Sequence, residues 1–217
     1  MKKYSFTGIE SNGFLLKGTI PQGKAIELAG DDFKFSKPEF SNDVRCALLV
    51  VRIEQLSTWG IPFIHWTYPE AVWMLELCDS SFLAIKAHTP AYMWGALSLM
   101  DKYNTDMGSM ELSKTGDSAT ILVSAKKSKF SASLEGVTQG DTELISNLWT
   151  RNRNGKYYRI PWGDNKPTSV YRLYSKVEDN TLGNEIFGKD ITWDDEAIYF
   201  IDRLHQCAPA YSESPII

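Results

Sequence analysis

The stretch Ala47-Leu48-Leu49-Val50-Val51-Arg52-Ile53 decides the fold class of this chain. It is almost continuously apolar and rich in β-branched residues. A short run of this composition, bounded by polar segments, is typical of a strand that is buried on both faces of a sheet. We therefore predict a central strand here that stays buried until Arg52 introduces a charge.

Segments with strand-like patterns lie on both sides of this run. They cover residues 14–20, 63–68, 71–77, 82–86, 107–113, 119–125, 129–134, 156–161, 170–177 and 197–204. Short strands at this spacing, joined by turn residues, indicate an antiparallel meander. Pro69 predicts an interruption between the second and third of these segments, because proline cannot donate to a strand ladder.

Helical patterns are fewer. Thr89 and Pro90 form a helix start signal ahead of an apolar stripe over 91–103. Residues 142–150 show a second helical pattern, and 24–29 allow one or two turns. The predicted class is therefore mostly β (α+β), an antiparallel sheet with two or three helices. The length of 217 residues fits a single domain over 1–217.

The composition is that of a globular chain. Hydrophobic residues make up 43% and aromatic residues 12%, which suits sheet faces or an apolar cavity. The net charge of −4 argues against nucleic-acid binding. No run approaches the ~18 apolar residues of a membrane helix, and no apolar signal core follows Met1-Lys2-Lys3. We expect a cytoplasmic protein with no nucleic acid and no membrane as partner.

Cysteine and histidine spacing gives no catalytic or metal motif. These residues are Cys46, Cys78, Cys207, His65, His88 and His205. An odd number of scattered cysteines without CxxC predicts reduced thiols. The histidines could form a metal site only if the fold brought them together. No Gly-x-Ser-x-Gly or glycine-rich phosphate loop is present, so we expect no metal and no cofactor.

Four stretches resemble, in the same order, segments of the acetoacetate decarboxylase-like superfamily, including its uncharacterised bacterial branch. They are Leu49-Val50-Val51-Arg52-Ile53-Glu54, Trp66-Thr67-Tyr68-Pro69-Glu70, Trp94-Gly95-Ala96-Leu97-Ser98-Leu99-Met100-Asp101-Lys102-Tyr103 and Arg203-Leu204-His205-Gln206-Cys207-Ala208-Pro209. The likeness spans roughly residues 14–210. It implies a conical or barrel-like sheet that encloses a cavity for a small molecule.

The resemblance also implies roles for individual residues. Lys102 takes the position of the catalytic lysine, which forms an imine and needs a pKa far below the free value of ~10.4. Glu70 takes the position of an active-site glutamate and would act as general acid/base. Arg52 could hold a substrate carboxylate bidentately. Three aromatic side chains are expected to contact the substrate, namely Trp66, Tyr68 and Trp94.

The chain also departs from the family pattern. Tyr103 follows Lys102 where the decarboxylases carry a second lysine, and Asp101 replaces a proline. No arginine near Ser11 and Asn12 matches the family's N-terminal active-site arginine. These departures favour a lyase other than the acetoacetate enzyme. Its substrate would be an oxo acid or polyketide-like carbonyl compound, and the reaction a decarboxylation, aldol condensation, dehydration or cyclisation.

Each predicted site residue has a simpler interpretation. Lys102 could be a surface residue at a helix end, Glu70 a loop carboxylate with Glu76 as its competitor, and Arg52 the ion-pair partner of Glu54. The alternative function is a non-catalytic binding protein whose closed sheet holds an apolar ligand, as lipocalins do. In both cases the partner is a small molecule, and a homo-oligomer is left open.

Overall fold

The computed structural model of the chain describes residues 6–58, 61–99, 104–140, 147–151, 157–161, 167–207 and 210–211. Within them, strands dominate and form one barrel-shaped, nearly closed sheet accompanied by three helices. The predicted fold class is therefore confirmed. None of the helices in the described segments has the length and apolar character needed to cross a bilayer.

All strands of the described residues join a single sheet. They are β1 (Phe6–Ile20), β2 (Val44–Thr58), β3 (Ile61–Glu76), β4 (Phe82–Thr89), β5 (Thr105–Met107), β6 (Ser109–Thr115), β7 (Ser118–Ala125), β8 (Ser128–Gln139), β9 (Asn147–Arg151), β10 (Tyr157–Pro161), β11 (Ser169–Asp179), β12 (Thr192–Cys207) and β13 (Ala210–Tyr211). The helices are α1 (Gln22–Ala29), α2 (Ala91–Leu99) and α3 (Thr181–Phe187).

The strand order is that of a nearly closed sheet. It runs β13-β10-β9-β4-β3-β2-β1-β12-β11-β8-β7-β6, with β5 beside β4. Pairing is antiparallel except where β4 meets β5 and β9. Strand β6 at one end of this order returns to contact β3 and β4. The sheet is therefore mixed rather than purely antiparallel, and its curvature creates an inside.

The central strand β2 is buried on both faces, as its apolar run predicts. Residues 46–51 are each at most 1% exposed. Leu48 faces a core shared with β7, β8 and α3, and we call this side of the sheet the barrel face. Leu49 faces a second core that includes Met93 of α2, and we call that side the α2 face. Because successive side chains of β2 point to opposite faces, this strand contributes to two separate apolar cores.

An aromatic cluster fills the barrel face. The ring centroid of Trp73 on β3 lies 5.6 Å from that of Phe130 and 5.8 Å from that of Phe187. Trp193 completes the cluster, with its ring 5.2 Å from Phe130. The Trp73 indole N–H donates to Nδ1 of His88 at 3.1 Å, so the polar atom of this buried ring is satisfied. These contacts join β3, β8, β12 and α3 into one core.

Pro69 does not interrupt β3. The first residue of β3 that pairs with β4 is Ala71, which lies opposite His88. At Pro69 the strand therefore has β2 as its only paired neighbour in the described sheet. A missing N–H is tolerated there because proline is compatible with a strand that is free on one side.

The helix predictions are only partly correct. The prediction over 24–29 is confirmed by α1, which ends at Gly30 with a φ of 96°. Residues 147–150 were predicted as helix but belong to β9, while 141–146 lie outside the described residues. Helix α3 was not predicted, because Gly183 and Asn184 give it low helix propensity.

Two of the three cysteine side chains are described, and both thiols are free. Cys46 lies in the barrel core, where burial raises the pKa of its thiol far above the usual value. Cys78 is exposed. Because the thiolate is the reactive form, Cys46 is an inert core residue rather than a nucleophile.

Candidate functional site

Two oppositely charged side chains are completely buried on the α2 face. Glu10 of β1 is 0% and Arg203 of β12 is 1% exposed. Arg203 contacts Oε2 of Glu10 through Nε at 2.8 Å and Nη2 at 2.6 Å. Its guanidinium also lies 4.9 Å from the ring centre of Phe200. Because burying two ions costs several kcal/mol each, such a pair is more typical of a functional site than of a core built for stability.

Irregularities in three adjacent strands place these side chains on the α2 face. In a regular strand, residues three positions apart point to opposite faces. Phe200 and Arg203 nevertheless share a face, as do Gly13 and Glu10. One extra residue in each strand causes this, namely Ser11 in β1, Gln55 in β2 and Asp202 in β12.

The backbone at two of these extra residues is unusual. Gln55 has a φ of 52° and Asp202 a φ of 48°. This left-handed region is uncommon for residues other than glycine. Bulges that re-aim side chains are over-represented beside active sites. The line of bulges therefore marks this end of the α2 face as the candidate site.

Glu70, predicted from sequence, lies on the same face and is 7% exposed. Register sets its position: Glu70 is opposite Val51, and Glu10 is opposite Ile53, two residues further along β2. With strands ~4.8 Å apart and ~3.4 Å per residue, the Cα atoms of Glu70 and Glu10 are about 12 Å apart. Glu70 and the Glu10–Arg203 pair therefore lie at two ends of one candidate site on the α2 face.

Apolar and aromatic side chains surround these charges. Tyr68 is buried in the α2-face core, and Trp66 packs against it. Met93 brings α2 onto the same core, and the Tyr92 hydroxyl donates to the carbonyl of Thr67 at 3.0 Å. In such a low-dielectric setting, electrostatic interactions with a bound molecule are strengthened.

Arg52 is not part of this group. It neighbours Val51 in β2, so its side chain lies on the barrel face, opposite to Glu70. Its Nε lies 3.0 Å from Oε1 of Glu54, which is the ion pair of the simpler interpretation. Glu76, the competitor of Glu70, lies at the far end of β3 and pairs with Lys17 at 3.2 Å. The structure therefore separates Arg52 from Glu70 and leaves Glu76 apart from both.

Helix α2 begins where the threonine–proline signal predicts, directly after Pro90. The Trp94 indole donates to the carbonyl of Thr105 at 2.9 Å, so this side chain ties α2 to β5. Lys102 lies outside the described residues, together with the rest of 100–103. Its role as the catalytic amine stays a prediction.

His88 is a neutral histidine of the barrel core. Its Nδ1 accepts the Trp73 proton, so the ring's own proton is on Nε2. Burial, with Lys86 adding positive charge, lowers the pKa of His88 to about 4. Among the described residues, no three His, Cys, Asp or Glu side chains converge on a position that could hold a metal ion.

Sequence reasoning missed Glu10 and Arg203 as site residues. Glu10 stands in the polar run Gly8-Ile9-Glu10-Ser11-Asn12-Gly13, which reads as a solvated segment. Asp202 and Arg203 follow the apolar stretch 197–201 and read as the end of a strand. The pair is buried because β1 and β12 both continue beyond these residues and pair with each other, which places Glu10 opposite Arg203. An arginine inside an apolar strand was the one available signal.

This barrel-shaped sheet has the fold of acetoacetate decarboxylase-like enzymes. The resemblance noted in the sequence is thereby confirmed at the level of the fold. One similar structure is an acetoacetate decarboxylase-like enzyme from Sphingomonas wittichii RW1. It superposes with a TM-score of 0.73 at 10% identity, over 98% of this chain and 95% of that one.

Two further structures show the same likeness. Acetoacetate decarboxylase from Legionella pneumophila gives a TM-score of 0.68 at 9% identity, over 98% of this chain and 90% of that one. The enduracididine biosynthesis enzyme MppR complexed with pyruvate gives a TM-score of 0.64 at 10% identity, over 94% of this chain and 88% of that one. No family model and no curated protein matches the sequence.

Proposed function

We propose that this chain is an enzyme that acts on a small oxo acid or a related carbonyl compound at the α2 face. Glu70 serves as general acid/base, and Lys102 supplies the amine. The observation that carries the proposal is the group of buried ionisable residues Glu10, Arg203 and Glu70 at a line of strand bulges. Buried charges are costly and cluster at sites of chemistry.

Arg203 gives this site the positive charge that the sequence lacks near its N-terminus. The family resemblance implies an arginine near Ser11 and Asn12, and none is present there. In the fold, Arg203 from β12 lies beside Glu10, one residue before Ser11. A cation at this point can orient an oxo acid, and Glu10 fixes the guanidinium in place.

The shared fold supports the same class of substrate. Similar structures include MppR bound to pyruvate and MppR bound to the condensation product of pyruvate and imidazole 4-carboxaldehyde. An imine at Lys102 would form by attack of the neutral amine on the keto carbon with loss of water. For condensation or dehydration, Glu70 would then take a proton from the carbon next to the protonated imine, giving an enamine. For decarboxylation, the protonated imine would instead accept the electron pair of the breaking C–C bond as CO2 leaves, and Glu70 would return a proton to the resulting enamine.

The amine role of Lys102 is tested by trapping. Incubation with pyruvate and borohydride should fix one pyruvate-derived adduct on the protein, because borohydride reduces an imine to a stable secondary amine. The Lys102→Ala variant should give no adduct, as read by intact-protein mass spectrometry. Lys86→Ala, which removes a partly buried lysine ion-paired with Asp106, is the matched control and should trap normally. Undiminished trapping in Lys102→Ala would exclude Lys102 as the amine.

The role of Glu70 is tested by proton exchange. The wild-type protein should accelerate exchange of the pyruvate methyl protons in heavy water, measured by proton NMR. Replacing Glu70 with glutamine should slow this exchange by about 10²–10⁴-fold, the usual contribution of a general acid/base. Glu76→Gln is the control, because Glu76 is on the same strand and face but about 20 Å away.

The exchange experiment also distinguishes an enzyme from a non-catalytic binding protein. Exchange at the buffer rate in the wild-type protein, together with measurable ligand binding, would favour the non-catalytic binding protein. Equal exchange in Glu70→Gln and wild type would remove Glu70 from the mechanism even if catalysis is present.

A further inference from the structure

A cavity lies on the barrel face, outside the site described above. It has a volume of about 480 Å³ and opens between β1, β2, β3 and β6. This volume falls in the ~300–1,000 Å³ range of small-molecule sites. The residues that line it include Arg52, Glu54 and Lys114.

The charged groups of this cavity favour an anion. Arg52 uses Nε to contact Glu54, whose Oε1 also accepts a hydrogen bond from Ser11 at 3.0 Å. Within the described residues, the two Nη groups of Arg52 make no hydrogen bond, so they are available to bind a ligand. Lys114 from β6 adds a second positive charge, and no carboxylate of the described part of the chain pairs with it. Two cations against one anion leave the cavity with a net charge of +1.

Apolar side chains form only part of the remaining lining, which also includes the polar side chains of Asn12 and Ser113. Phe14 is 1% exposed and stacks on Tyr199 with ring centroids 4.8 Å apart. The Tyr199 hydroxyl donates to Oδ1 of Asn12 at 2.6 Å, which fixes this aromatic floor. Met110 and Leu112 from β6 form the opposite wall. A ligand with a negative group at Arg52 and a short apolar part can therefore contact both the charged and the apolar side chains of this lining.

The strand alternation keeps this cavity apart from the Glu70 site. Arg52 pairs with Pro69 and its neighbour Val51 pairs with Glu70, so the two sites use opposite faces of the same strands. The backbone of β2 and β3 lies between them. A molecule bound at Arg52 therefore cannot contact Glu70.

We propose that this cavity is a second ligand site that binds a monocarboxylate with an apolar ring or chain. The Nη edge of Arg52 holds the carboxylate, Lys114 adds long-range attraction, and Phe14, Met110 and Leu112 cover the apolar part. A carboxylate suits the site better than a phosphate dianion, because one guanidinium edge and one exposed lysine offer few donors.

The test uses 4-phenylbutyrate as probe, with 4-phenylbutanol and inorganic phosphate as comparison ligands, in titration calorimetry on the full chain. Phenylbutyrate should bind more tightly than the alcohol. Arg52→Gln should weaken its binding at least about tenfold, since a hydrogen-bonded charge pair is lost. Arg172→Gln is the matched control, because Arg172 is an exposed strand arginine that pairs with Glu196 and should leave binding unchanged. Folding of both variants is checked by thermal unfolding.

Two further variants test whether phenylbutyrate binds in this cavity. Phenylbutyrate binding should persist in Glu70→Gln, which separates this site from the proposed catalytic one. A variant of the apolar wall, Leu112→Asp, should also weaken binding. Equal affinity in Arg52→Gln and wild type would overturn the proposal, as would phosphate binding as tightly as phenylbutyrate.

Discussion

Replacing Arg203 with methionine is expected to lower the free energy of unfolding by about 3–5 kcal/mol. The substitution leaves the Glu10 carboxylate, which is 0% exposed, without the guanidinium that contacts it at 2.6 and 2.8 Å. A buried carboxylate that loses its cationic partner keeps the full desolvation cost. Urea denaturation followed by tryptophan fluorescence measures the change.

A matched pair of variants separates this effect from simple loss of packing. Arg172→Met breaks an exposed ion pair with Glu196 and should cost at most about 1 kcal/mol. The double variant Glu10→Leu/Arg203→Met should recover most of the loss, because replacing both buried ions with apolar groups is often neutral or stabilising. The prediction fails if Arg203→Met destabilises no more than Arg172→Met does.

The second large effect is a loss of stability in mild acid that His88 causes. Its pKa is lowered from 6.5 to about 4, first by burial and then by Lys86 and Lys126, while Asp106 and Glu185 oppose the shift. The unfolded chain takes up this proton near pH 6.5 and the folded chain near pH 4. Stability from His88 is therefore complete above pH 6.5 and is lost as the pH falls towards 4, by about 3 kcal/mol in total.

The pH dependence of unfolding in urea tests this prediction. Between about pH 7.5 and about pH 5, the titration of His88 should lower the free energy of unfolding by about 2 kcal/mol. In His88→Asn that part should vanish, since the amide oxygen can still accept the Trp73 proton but does not titrate. His65→Asn, at an exposed histidine, should keep the wild-type dependence. Identical pH slopes in His88→Asn and wild type would contradict the assignment.

The fold class could be predicted because its signals are local. The apolar run 47–53 identifies a strand buried on both faces, and the meander over 109–139 follows from short strands joined by turns. The predictions that failed concerned segments whose conformation depends on the neighbouring strands of the sheet. Pro69 does not interrupt β3 because the pairing with β4 does not reach it. Residues 147–150 form a strand rather than a helix because β4 and β10 pair with this segment.

The site was predictable only in part. Glu70 was predicted as a site residue from the family resemblance, and that role stays a prediction. The structure shows that Glu70 is buried on the α2 face, where Glu10 and Arg203 also lie. Arg52 was placed in the same pocket, but alternation along β2 puts it on the opposite face. The Glu10–Arg203 pair joins residues 193 positions apart, and bulges at Ser11 and Asp202 turn both inward. No local pattern encodes such a contact.

The amino-acid sequence alone determined that this chain forms a strand-rich sheet with two apolar faces, because hydrophobic alternation and turn residues act over a few positions. The tertiary structure decided which charges share a face. A single inserted residue reverses every later side chain in a strand, and the register between distant strands sets which of those side chains meet.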